Sequence, residues 1–142
     1  MIDEEYEALR KKTPTAKIRK QVNKGYNKKI ETEDQALPGE TFISSLEVDH
    51  IVSMDKIASM DGFGDLTKKQ QLELLNNPEN FTGLSKSANT SKQSKSYEKW
   101  THYKKGTPDE IEVSPDFRSK MITREKQLER ILQKQIEDFN KE

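Results

Sequence analysis

The chain has 142 residues, of which 35% are charged and 30% hydrophobic, so we expect one domain with a small core and solvated helical arms. It contains no cysteine, which excludes disulfide bonds, cysteine-ligated zinc and thiol catalysis. Lysine plus arginine equals aspartate plus glutamate at 25 each, so the net charge gives no sign of a nucleic-acid partner.

The N-terminal part of the chain, residues 1–36, is predicted to form a helical arm. Residues 3–12 have the composition of a short charged helix. A second helix is predicted over residues 15–30, with Thr13 as its N-cap and Pro14 at its start, because proline is tolerated in the first turn. Apolar residues recur along this helix at four-residue spacing: Ile18, Val22 and Tyr26.

The central part of the chain, residues 41–105, is predicted to hold the folded core. The apolar residues within 41–48 favour a strand. Two short helices are then predicted, over residues 54–60 and 67–75, with a glycine-rich loop between them. A second strand is predicted over residues 80–84, because a short apolar run follows an Asn-Asn-Pro turn signal there.

Two further helices are predicted after the second strand. Ser85 is a suitable N-cap for a helix that begins at residue 86 and ends at about residue 103. Ser114 as N-cap and Pro115 at the first position begin a long helix over residues 114–140. Its apolar stripe is close to a heptad repeat, which is typical of packing against the protein body or a partner helix: Phe117, Met121, Leu128, Ile131, Leu132, Ile136 and Phe139.

The positive charge is concentrated in two stretches of the chain. Residues 10–29 contain nine lysines and arginines without an acidic residue, and residues 86–105 contain six lysines opposed by Glu98 alone. Such stretches can line one anionic groove, or they can be the solvated faces of ordinary helices. The residues that we predict to bind nucleic acid come from both stretches: Lys17, Arg19, Lys24 and Lys95.

The dipeptide Asp49-His50 combines two groups that suit hydrolytic chemistry. A carboxylate is a hard oxygen ligand for Mg²⁺ or Mn²⁺, and histidine has the pKa best suited to a general base near neutral pH. Neighbouring side chains of a regular strand point to opposite faces. For both groups to serve one site, the strand must therefore end or bulge at this dipeptide.

The segment from Asn80 to Lys92 supplies a second set of polar groups. Asn80 is predicted to lie on the second strand. Asn89 and Lys92 are three residues apart, so they share one face of a helix. The Asn89 amide oxygen can complete a metal site with Asp49, and Lys92 can hold a phosphate oxygen or offset developing charge.

Three other residues in this region are expected to be structural. His102 follows Trp100 near the predicted helix end, where a cation is favourable, so we expect a capping or surface role for it. Tyr97 and Trp100 can stack on nucleic-acid bases, but we expect them to pack in the core.

The order Asp49-His50, Asn80, Asn89 and Lys92 resembles the HNH nucleases, also known as the ββα-metal or His-Me finger nucleases. It is most similar to the subgroup in which asparagine replaces the last histidine of the signature. The spacing from Asn80 to Lys92 resembles the HNH domain of CRISPR effector nucleases. The order of the residues also resembles the nuclease domains at the C-termini of bacterial polymorphic toxins.

This resemblance covers about residues 46–100 and implies an α+β fold, with a ββα-metal core surrounded by N- and C-terminal helices in one domain of residues 1–142. It implies an endonuclease that hydrolyses DNA phosphodiester bonds with one Mg²⁺ or Mn²⁺ ion. The implied roles are as follows: Asp49 and Asn89 bind the metal, His50 activates water, Asn80 bonds the backbone near His50 and aims its ring, and Lys92 contacts phosphate.

The chain departs from the family pattern at several points. The insert between the two blocks, residues 53–79, is long and must fold away for Asp49 to meet Asn89. Gln93 stands where some relatives place another histidine ligand, which favours Mg²⁺ or Mn²⁺ over a softer metal. No cysteine pairs are present to build the structural zinc knuckle of some relatives.

The biological setting has several candidates. The first is a bacterial toxin domain that acts in the cytoplasm, is exported as part of a longer chain and is held in check by an immunity or other inhibitor protein. A phage or restriction-type HNH endonuclease is the second, and a non-catalytic nucleic-acid-binding protein with a vestigial site is the third. RNA remains an alternative substrate to DNA. We expect no membrane partner, since no segment resembles a signal peptide or a membrane span.

Overall fold

The computed structural model describes residues 3–142, which form a mixed α+β structure. The predicted α+β class is therefore confirmed. Within this range the helices are α1 (Asp3–Arg10), α2 (Ala16–Val22), α3 (Met54–Ala58), α4 (Lys68–Leu75), α5 (Lys86–Lys92) and α6 (Pro115–Asn140). The strands are β1 (Thr32–Glu33), β2 (Thr41–Phe42), β3 (Glu47–His50), β4 (Phe81–Leu84), β5 (His102–Tyr103) and β6 (Ile111–Glu112).

The strands form antiparallel pairs, and the pair β3–β4 lies at the centre. Glu47 lies opposite Leu84 and His50 opposite Phe81. Ser85 then caps α5 by accepting a hydrogen bond from the Ala88 amide at 3.0 Å, as predicted. Strands β3 and β4 and helix α5 are therefore neighbours in space, although about thirty residues connect β3 to β4.

Helix α2 packs directly on β3 and β4. Gly83 makes this approach possible, because a Cβ atom there would lie 2.7 Å from Leu46 Cδ1 and 3.0 Å from Val22 Cγ1. Both distances are too short for a real side chain without movement of its neighbours. The glycine therefore lets the N-terminal arm sit against the central strands.

The segment between β3 and β4 folds away from the strands onto α6. Helix α4 begins at a capping box, in which Thr67 and Gln70 bond each other's backbone amides. A threonine followed three residues later by glutamine is typical of this motif. The turn before it is tied to α6 by a hydrogen bond from Gln133 to the Asp61 carbonyl at 2.9 Å and by one from Asn140 to the Gly62 carbonyl at 3.2 Å.

The long helix α6 begins as predicted, with Ser114 as N-cap and Pro115 in the first turn. Its buried stripe recurs every three or four residues: Phe117, Met121, Glu125, Leu128, Leu132 and Ile136. The stripe contains an acidic residue, Glu125, which an apolar pattern does not predict. Ile131 and Phe139 are only partly buried at its edges.

Several predicted boundaries were wrong. Helix α2 begins after Thr15, whose side chain accepts the Ile18 amide at 3.3 Å, and it ends at Val22 instead of continuing to residue 30. The chain leaves the helix because the Asn23 side chain bonds the Leu46 backbone, at 2.8 Å to its amide and 3.2 Å to its carbonyl.

The predicted strand 41–48 is divided between two sheets, since β2 pairs with β1 and β3 pairs with β4. The predicted helix 86–103 ends at Lys92, because Gln93 has a φ of 53° that does not continue a helix. Trp100 then turns inward and donates from Nε1 to Ser91 Oγ at 2.9 Å. His102 lies on a strand, where a helix end was expected.

Across residues 3–142, none of the helices has the length and apolar character that crossing a membrane requires.

The packing of α6 gives the first prediction. Leu128→Ala should lower the free energy of unfolding by about 2–5 kcal/mol, because Leu128 is fully buried and its loss leaves a cavity. Arg130→Ala, on the exposed side of the same helix, should change it by less than about 0.5 kcal/mol. Urea unfolding measures both, and equal midpoints for the two variants would contradict the packing.

Candidate active site

A surface pocket brings together three of the residues singled out by sequence. Asp49, His50 and Asn89 all line it. The N-terminal segment forms another wall, with Tyr6 and Arg10 among the lining residues. Residues from β3, α5 and α1 therefore meet at one place, although they are separated by tens of positions in the chain.

Asp49 and His50 can both reach this pocket because β3 ends at His50. An end or a bulge of the strand was expected here, because regular strand residues alternate between faces. Asp49 is buried, with 5% of its surface exposed, and contacts residues of α5 and the turns that follow it. His50 is half-buried and packs against Phe81 with ring centroids 4.6 Å apart.

The imidazole of His50 is held through one nitrogen. Nε2 lies 3.1 Å from the Leu75 carbonyl oxygen and 3.1 Å from Thr13 Oγ1. A carbonyl oxygen only accepts hydrogen bonds, so Nε2 carries the proton and Nδ1 keeps its lone pair. Within residues 3–142, no hydrogen bond engages Nδ1.

The environment of His50 also fixes its charge. Burial lowers the pKa of His50 to about 4, and the positive charge of Lys92 lowers it as well, against the opposite effect of the Leu75 hydrogen bond. The ring is therefore neutral near pH 7. A neutral ring with a free Nδ1 lone pair is the form of histidine that accepts a proton.

Thr13 supports the same ring and is not a helix cap, contrary to the prediction. It is buried, and its hydroxyl donates to Asn76 Oδ1 at 2.6 Å while its oxygen faces His50. Asn76 in turn donates to the Lys12 carbonyl at 3.2 Å. The N-terminal segment and the end of α4 are thus joined beside His50.

Asn80 fixes the backbone just after His50. Its side chain is fully buried, accepts the Val52 amide at 2.8 Å and donates to the Val52 carbonyl at 3.0 Å. A contact of this kind was expected, but Asn80 does not lie on the strand: it ends a short 3₁₀ turn, Pro78–Asn80, immediately before β4. Asn77 caps that turn by accepting the Glu79 amide at 3.0 Å.

Asp49 forms a buried ion pair with Lys92. The Lys92 Nζ atom lies 3.2 Å from each carboxylate oxygen, and Lys92 is fully buried. The Tyr97 hydroxyl donates to the same carboxylate at 2.8 Å. Burial raises the pKa of Asp49, while the Lys92 charge and the Tyr97 hydrogen bond oppose that rise.

This ion pair differs from the expected phosphate contact of Lys92. The ammonium group is directed to Asp49 and is enclosed by protein, with the Tyr97 ring centroid 4.5 Å away. A buried ammonium needs a carboxylate partner, because an unpaired charge inside a protein is very costly. Contact between Lys92 and substrate stays a prediction and requires Lys92 to leave Asp49.

Glu125 of α6 completes the polar cluster beside Asp49. Its carboxylate accepts the Tyr97 amide at 3.1 Å, and burial raises its pKa. Sequence reasoning missed Glu125, Tyr97 and Thr13 as parts of this region. The position of Glu125, four residues after Met121 in the buried stripe, was the signal that could have found it.

The pocket offers few side-chain ligands for a metal ion. In the part of the chain that the structure describes, no three or more His, Cys, Asp or Glu side chains are grouped so as to hold a metal. Asp49 and Asn89 offer one carboxylate and one amide oxygen, which suit Mg²⁺ if water supplies the remaining ligands. Among the described residues, Oδ1 of Asp49 accepts a hydrogen bond from Lys92 alone, so it retains a lone pair for such an ion.

The predicted nucleic-acid-binding residues are all exposed but lie in two places. Lys17, Arg19 and Lys24 lie on or just after α2, where Arg19 lines a surface groove with other basic residues. Lys95 lies beyond α5 and lines a different groove; its Nζ donates to the Ser91 carbonyl at 3.2 Å. Their contact with nucleic acid stays a prediction.

The Asn80 contacts give a second prediction. Asn80→Ala should lower the free energy of unfolding by about 2 kcal/mol or more, since it leaves the buried Val52 amide and carbonyl without partners. Asn77→Ala removes the cap of the preceding turn at a less buried position and should cost about 1 kcal/mol. Urea unfolding compares the two variants. An equal loss of stability in both would argue against a stabilising role for the two hydrogen bonds between Asn80 and Val52.

The pKa of His50 gives a third prediction, for the chain in EDTA. The pKa of His50 in the folded chain, about 4, lies below the ordinary value of 6.5. The unfolded chain therefore takes up a proton first as the pH falls, and stability decreases in the pH window between these two pKa values. Above it both states are neutral at His50. Between about pH 7 and pH 5, wild type should lose more stability than His50→Gln; parallel losses in urea unfolding would disprove the shift.

A scan of protein-family models and searches of curated proteins and of solved structures found no significant match to this chain.

Proposed function

We propose that this protein is a metal-dependent endonuclease of the HNH type that hydrolyses DNA, with His50 as its general base. One observation carries the proposal: Asp49, His50 and Asn89 line the same pocket, and His50 presents a neutral ring whose Nδ1 is not engaged within the described residues. These are the groups that a one-metal, one-base phosphodiesterase requires.

The arrangement of the surrounding elements supports a ββα-metal core. The antiparallel strands β3 and β4 are followed directly by α5. Asp49 and His50 lie at the end of the first strand, and Asn89 lies on the helix. This is the order that the resemblance to HNH nucleases implies: a carboxylate ligand, a base and an amide ligand.

His50 would accept a proton from water at Nδ1 while that water attacks the phosphorus atom. The Leu75 carbonyl and Thr13 hold the opposite nitrogen, and Asn80 holds the backbone at Val52, so the ring is aimed before substrate arrives. The phosphorus–O3′ bond breaks as the water attacks. Asp49 and Asn89 would hold a Mg²⁺ or Mn²⁺ ion, which would stabilise the negative charge on the phosphate and on the leaving 3′ oxygen. The products would carry 5′-phosphate and 3′-hydroxyl ends.

The setting that we propose is a bacterial toxin domain with an inhibitor protein, and it rests on the sequence resemblance. A non-catalytic nucleic-acid-binding protein is the second candidate. One observation favours it: Lys92 already neutralises Asp49, at 3.2 Å from both carboxylate oxygens. The two candidates differ in whether DNA is cleaved when Mg²⁺ is added.

Plasmid nicking tests the proposal. Wild type should nick supercoiled DNA with Mg²⁺ and not with EDTA, and His50→Ala should reduce the rate by about 100-fold or more, as loss of a general base does. His102→Ala is the matched control, because His102 is the other histidine and its side chain bonds only Thr101 within the described residues. It should keep the wild-type rate.

Two results would contradict the nuclease proposal: no metal-dependent nicking by the folded wild type, or full activity in His50→Ala. Binding of DNA without cleavage would support the second candidate. If expression of wild type is toxic to bacteria and His50→Ala relieves that toxicity, the toxin setting gains support; equal growth with both would speak against it.

A further inference from the structure

We propose that Arg10 is a phosphate-binding residue of the candidate active site, on the wall formed by the N-terminal segment; this inference rests on the proposed nuclease function. The ligand is one phosphate group of the DNA backbone. The sequence pattern assigned the phosphate contact to Lys92, which the structure instead buries against Asp49.

Arg10 lies at a well-anchored position. The residue before it, Leu9, is 2% exposed and belongs to the core, and Thr13, three residues after it, is buried against His50. The backbone between them is bonded through the Lys12 carbonyl to Asn76. The Arg10 side chain is nevertheless 65% exposed and lines the pocket with His50 and Asn89.

The charge of the pocket makes Arg10 important for an anionic substrate. Of the described residues that line it, Arg10 is the one lysine or arginine, while Asp49 and Asp55 are acidic. The ammonium group of Lys92 is already paired with Asp49. A phosphodiester that enters the pocket therefore meets one protein cation, and that cation is a guanidinium, whose geometry allows bidentate contact with phosphate.

The guanidinium of Arg10 is available for such a contact. Its ion pair with Glu7 is loose, at 3.9 Å, and both side chains are mostly exposed, so it costs little to break. Tyr6 lies one turn earlier on the same wall. Burial and a hydrogen bond to the Asp55 carboxylate raise the pKa of Tyr6 to about 12, so the Tyr6 hydroxyl is directed to Asp55.

Binding of a short fluorescein-labelled DNA duplex in EDTA tests the inference without cleavage. Arg10→Ala should weaken binding by about tenfold and reduce the dependence of log affinity on log salt concentration by about 1, as expected when one phosphate contact is lost. Lys11→Ala is the matched control, because it removes an equal charge from the adjacent exposed residue, which does not line the pocket. Arg10→Lys should restore part of the affinity.

Equal weakening by Arg10→Ala and Lys11→Ala would overturn the inference, as would the absence of any DNA binding by wild type. Far-UV circular dichroism and urea unfolding establish that the variants are folded, which the exposure of both side chains leads us to expect. Nicking assays with Mg²⁺ separate the two proposals. If wild type cleaves and Arg10→Ala cleaves as fast as Lys11→Ala, the inference about Arg10 fails and the nuclease proposal stands. If wild type binds DNA through Arg10 but does not cleave it, the nuclease proposal fails.

Discussion

The buried ion pair between Asp49 and Lys92 joins strand β3 to helix α5 at the centre of the structure. Burying two opposite charges is unfavourable unless further hydrogen bonds satisfy them, and here the Tyr97 hydroxyl supplies one, 2.8 Å from the carboxylate. The Tyr97 amide is in turn held by Glu125 of α6, at 3.1 Å. A continuous series of polar contacts therefore joins the first central strand to α5, to the turns after it and to the long C-terminal helix.

The setting of His50 is assembled from segments that are far apart in the chain. Thr13 comes from the N-terminal arm, Leu75 from the end of α4, and Asn80 from the turn before β4. The sequence predicts that the long insert, residues 53–79, must fold away for the two halves of the site to meet. It packs on α6 and supplies the carbonyl that fixes the imidazole, because its last helix returns the chain to the central strands.

The same ion pair sets the electrostatics that a metal ion would meet. Two unit charges of like sign about 4 Å apart repel by about 4 kcal/mol at an effective dielectric constant of about 20, and a divalent ion is repelled more. Lys92 lies 3.2 Å from Asp49, so an ion bound at the carboxylate would lie close to its ammonium group. Metal binding at Asp49 would therefore be coupled to the position of Lys92.

The resemblance to HNH nucleases, and no local signal, indicated that Asp49, His50 and Asn89 serve one site. The sequence predicts the features that depend on local signals: the α+β class and the caps at Ser85 and Ser114. These follow from propensity, capping chemistry and side-chain periodicity, which act over a few residues. Three features emerge only from long-range packing: Lys92 is buried, Thr13 supports His50, and Glu125 lies inside the helix stripe. Each of these depends on a partner tens of residues away, and that proximity results from packing of the whole chain, which no local pattern records.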